Sequence, residues 1–62
     1  MMNPRDVETV YEALAKGVDA AGPKSELFLA KAALLLAQEL GDAARAVALI
    51  ESAGLRLEDA VA

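Results

Sequence analysis

From Leu27 to Ala37 the chain is apolar at every position except Lys31. A helix lying on the surface of a small domain shows one apolar stripe and an opposite polar face. This run is apolar nearly all the way round, so as a helix it needs neighbours on more than one side. On a helical wheel it resolves into three ridges. Leu29, Ala33, Leu36 and Leu40 form the first, Leu27, Ala30, Leu34 and Ala37 the second, and Phe28, Ala32 and Leu35 the third. Lys24, Lys31 and Gln38 form a narrow polar stripe between the second and third ridges.

The flanking sequence supplies the ends of this helix and two companions. Asn3-Pro4 opens a periodic segment: Asn is a good N-cap, and Pro is favoured at the first helical position, where its missing N–H costs nothing. Asp6 follows in the first turn, where the helix dipole favours a carboxylate. A first helix is predicted over about 4–21, stopped by Gly22-Pro23. Val7, Val10, Tyr11, Leu14, Val18 and Ala21 share its apolar face, while Glu8, Glu12, Lys16 and Asp19 lie opposite. Gly17 costs about 1 kcal/mol relative to Ala in a helix interior, a cost that a close approach by another helix would explain. The second helix is predicted over about 25–40, capped by Ser25 or Gly22. Gly41 suits a left-handed C-terminal position and Asp42 the N-cap of a third helix over about 43–53. Gly54 stops that helix, with Leu55 and Ile50 placed for the apolar contact of a Schellman motif. In the tail, Leu55, Leu57 and Val61 either pack back on the helices or stay loose, so residues 54–62 are a candidate loose segment of one 62-residue domain.

The expected fold is therefore all-α, a three-helix bundle. Alanine and leucine dominate a composition that is 56% hydrophobic, and both favour helix. A chain this short buries only roughly 60% of its unfolded surface and usually needs a staple. It has no cysteine and no histidine, so no disulfide forms and the commonest metal ligands are missing. Oligomerisation and packing are the staples left. The first and third helices can cover about two ridges of the second, and monomers avoid leaving the remainder as an exposed apolar patch. The expectation is a homodimer formed through the second helix, with Leu27, Leu29, Leu34, Leu36 and Leu40 as the candidate interface.

Charge narrows the partners. Ten acidic residues against six dispersed basic ones give a net charge of −4. Nucleic acid needs a clustered basic face, and anionic membrane surfaces attract polybasic segments. Neither is expected as a partner. The apolar run is shorter than the roughly 20 residues that cross a bilayer, and Met1–Asp6 lacks the apolar segment of a signal peptide, so a cytoplasmic protein is expected.

Candidate chemistry is sparse. Glu8 and Glu12 lie one helical turn apart, as a cation site or an acid–base pair would require, but Lys16 continues them as an ordinary solvated face. Glu58-Asp59 reads the same way. Lys31 among leucines has the setting of a desolvated nucleophile, against the simpler reading of a side chain snorkelling along the polar stripe. Tyr11 reads as a core residue with its hydroxyl at the rim. No enzyme, cofactor or metal is expected. A helix-turn-helix around Gly41-Asp42 would carry only Arg45 among alanines in its reading helix. Leu40-Gly41-Asp42 with Ala46, Ile50 and Ala53 is similar to the second half of a tetratricopeptide repeat. The first half departs, with Leu34 at a small-residue position, alanines at the aromatic ones and Glu58 in place of the closing proline.

Asp6-x-x-x-x-Tyr11-Glu12-x-Leu14 followed by Leu34-Leu35-Leu36-Ala37-x-x-Leu40-Gly41-Asp42 resembles a family of short proteobacterial all-helical proteins, a domain of unknown function. The likeness spans about residues 6–53. It implies a helical fold and a bacterial origin, and no catalytic residues. The functional expectation is a non-catalytic helical interaction or accessory protein, acting on itself as a homodimer and on a larger protein partner. The alternative is a carrier of small apolar ligands with a pocket at the dimer interface.

Overall fold

The computed structural model describes residues 1–55 and 57. Helix α1 spans Pro4–Ala21, α2 spans Ser25–Leu40 and α3 spans Ala43–Ala53, and a single 3₁₀ turn, Gly22–Lys24, joins the first two. Among the described residues every regular element is helical, and the three helices have the bounds that the sequence predicts.

The ends of the helices show why. The Asn3 side chain accepts a hydrogen bond from the Asp6 N–H at 2.8 Å, and the Asn3 carbonyl accepts from Val7 at 3.1 Å. Two of the donors left orphaned at the start of a helix are thereby satisfied. Asp42 repeats the arrangement for α3, its carboxylate accepting from the Arg45 N–H at 3.0 Å and its carbonyl from Ala46 at 2.9 Å. Gly41 takes the left-handed conformation at φ 72° and donates its N–H to the Ala37 carbonyl at 3.0 Å. Gly22 ends α1 at φ 56°, ψ −121°, a backbone conformation that only glycine adopts without strain.

Two ends differ from expectation. The N-cap of α2 is Lys24, with no capping side chain, and Ser25 is already helical at φ −61°. The 3₁₀ turn feeds straight into α2, and the Ser25 N–H bonds the Gly22 carbonyl, which leaves neither Gly22 nor Ser25 in a capping position. At the end of α3 there is no Schellman motif. Gly54 stays right-handed at φ −79°, its N–H bonding the carbonyls of Ile50 and Glu51 at 3.2 and 3.1 Å, while Leu55 bonds Ser52. The helix tightens into a 3₁₀-like turn instead of reversing. Leu55 and Leu57 are exposed, so the described part of the tail does not pack back on the helices. Val61 lies outside the described residues.

The packing of α1 on α2 centres on Gly17 and Phe28. A Cβ placed on Gly17 would stand 2.6 Å from Phe28 Cε1 and closer still to Cζ. The ring tip therefore occupies the space that any side chain at position 17 would need. Around this contact Leu14, Val18, Ala21 and Ala32 are half-buried. Farther from the turn, Val10 and Leu35 are exposed, so the two helices part as they leave Gly17. Where α2 and α3 adjoin near the Gly41-Asp42 turn, Ala37 and Ala46 are half-buried. Almost no residues distant in sequence lie close in space, and α1 and α3 have at most a marginal contact with each other.

Two outcomes follow for stability. Gly17→Ala gains about 1 kcal/mol of helix propensity but forces overpacking that costs about 1–3 kcal/mol. The net result is a lower urea midpoint than wild type, whereas an exposed alanine-for-glycine change in a helix would raise it. Asn3→Ala and Asp42→Ala each lower stability by about 1 kcal/mol, measured by the same urea denaturation.

Candidate interaction surface

No described residue is buried, and the apolar side chains that would form a core are largely open to solvent. The radius of gyration is 12.6 Å, against about 10–11 Å for a compact chain of this length. The accessible surface is 5750 Å², where a compact monomer of the same mass exposes about 3,800 Å². The single chain thus shows about 1,950 Å² more surface, polar and apolar together, than a closed fold of this mass would.

Two apolar clefts open on this surface. The first, of about 490 Å³, lies in the opening between α1 and α2, lined by Val10, Ala13, Leu14, Phe28, Ala32, Leu35 and Leu36, with Thr9 at its edge. The second, of about 280 Å³, lies between α2 and α3, lined by Ala33, Leu36, Ala37, Leu40, Ala46, Leu49 and Ile50. Leu36 borders both. Thr9 is the one polar side chain among these residues, and its hydroxyl donates to the Arg5 carbonyl at 3.1 Å. The remaining side chains are hydrocarbon, so the clefts are suited to apolar contact.

The five candidate interface leucines do not share one face. Leu36 (60% exposed) and Leu40 (45%) border the cleft between α2 and α3, and Leu29 (43%) belongs to the same ridge. Leu27 (57%) and Leu34 (64%) stand on the second ridge, beside the stripe that holds Lys31 and Gln38, and border neither cleft. Phe28 and Ala32 of the third ridge are the residues that α1 covers. Sequence reasoning did not single out the α3 side of the surface, Leu49 and Ile50. At i, i+3 and i+4, Ala46, Leu49 and Ile50 share one helix face, but nothing in the sequence shows that so little of it is covered.

The polar candidates stand apart from the clefts. Glu8, Glu12, Lys16 and Lys31 are all exposed. Tyr11, expected in the core, is 70% exposed, because α1 and α2 have already separated at that height. Glu58 and Asp59 lie outside the described residues. Among the described residues no three Asp or Glu side chains come together as a metal site would require. Nor is any helix among them long and apolar enough to cross a membrane.

No family model, curated protein or solved structure matches the chain. The likeness to short proteobacterial helical proteins accordingly rests on the residues quoted for it.

Lys31 gives a check on this surface. An exposed ammonium on a solvated stripe contributes little, so Lys31→Gln is expected to change the unfolding free energy by less than about 0.5 kcal/mol. A larger loss in urea denaturation would mean that the stripe is covered.

Proposed function

We propose that the chain is a non-catalytic helical interaction protein that acts as a homodimer joined through α2, the second subunit closing the three helices into a bundle. The observation that carries this reading is that no side chain among the described residues is buried although the helix ends are well formed. Isolated helices of 11 to 18 residues are marginal in water and take most of their stability from packing of an apolar face. Helices this exposed need a further surface. Cyclic two-fold dimers are the commonest way that chains supply one. A standard interface covers about 800 Å² on each partner, and the exposed leucines of α2 with Val47, Leu49 and Ile50 offer apolar surface for one. The acidic face of α1, with Glu8, Glu12 and Asp19, is left outside for docking on a larger protein.

A second reading, a carrier of small apolar ligands, draws on the 490 Å³ cleft, since ligand sites occupy about 300–1,000 Å³ and are mostly apolar. The cleft is open along its length, so a ligand would be enclosed only once another chain closed over it. Native mass spectrometry separates the two: a protein-only dimer supports the first reading, and a stoichiometric lipid-like adduct supports the second.

For a dimer whose folding and association are coupled, stability depends on concentration. Each tenfold rise in protein concentration adds about 1.4 kcal/mol and raises Tm by roughly 3–8 °C. Light scattering should give twice the chain mass of 6.4 kDa. A folded 6.4 kDa species whose Tm is independent of concentration would falsify the dimer.

A further inference from the structure

We draw no further inference here: the strongest candidate, the pair of apolar clefts on either side of α2 that meet at Leu36, carries nothing because nothing in the structure shows what covers it.

Discussion

Phe28 can lie across α1 only because position 17 has no side chain. That one contact holds the first two helices together a turn and a half from the Gly22–Lys24 connection, and it sets the point from which they diverge. Everything on the far side of it, Val10 and Tyr11 on α1 and Leu35 and Leu36 on α2, is separated by the opening that it creates. Gly17 weakens its own helix, so the aromatic packing has to offset a real backbone cost. A smaller residue at position 28 would leave that cost without return, and a larger one at position 17 would push the helices further apart.

The short connections impose a second constraint. A single 3₁₀ turn joins α1 to α2, and Gly41-Asp42 joins α2 to α3. Each turn brings neighbouring helices together at their near ends and leaves their far ends unsupported. Alanines at positions 32, 37 and 46 allow close approach where contact exists but contribute little apolar area. The large side chains, mainly leucines, are placed where the helices have already parted. Area that would be core in a longer chain becomes surface here, and hydrophobic stabilisation scales with the area removed from water. With this distribution, much of the apolar area beside Leu36 stays open in the two hydrocarbon clefts.

The local features of the fold were legible because they depend on residues close in sequence. Asn3-Pro4, Gly41 and Asp42 each act through hydrogen bonds that span three or four positions, and the helix bounds follow from them. The readings that failed were those needing a side chain's surroundings. Ser25 looks like a cap in isolation, but the 3₁₀ turn carries the chain into α2 before a cap is needed. Gly54 looks like a reversal, but a tightened last turn satisfies the same carbonyls. Tyr11 lies on an apolar wheel face, yet whether that face is covered depends on how far α1 has drifted from α2. The candidate interface was legible only as a set: the leucines of α2 were evident, but not that Leu27 and Leu34 stand on the opposite side from the clefts.

By itself, the sequence determined the helices, their ends, and the apolar excess of the second one, because propensity, capping and periodicity are read within a few residues. It also contained the Gly17 clue that something approaches α1 closely. Only the tertiary structure decided that Phe28 is what approaches, that α1 and α3 barely touch, and that Leu36 lies between two open clefts. Those facts depend on the angles at two short turns and on the packing of one ring against one backbone, and no periodic pattern along a chain encodes the angle at which its helices cross.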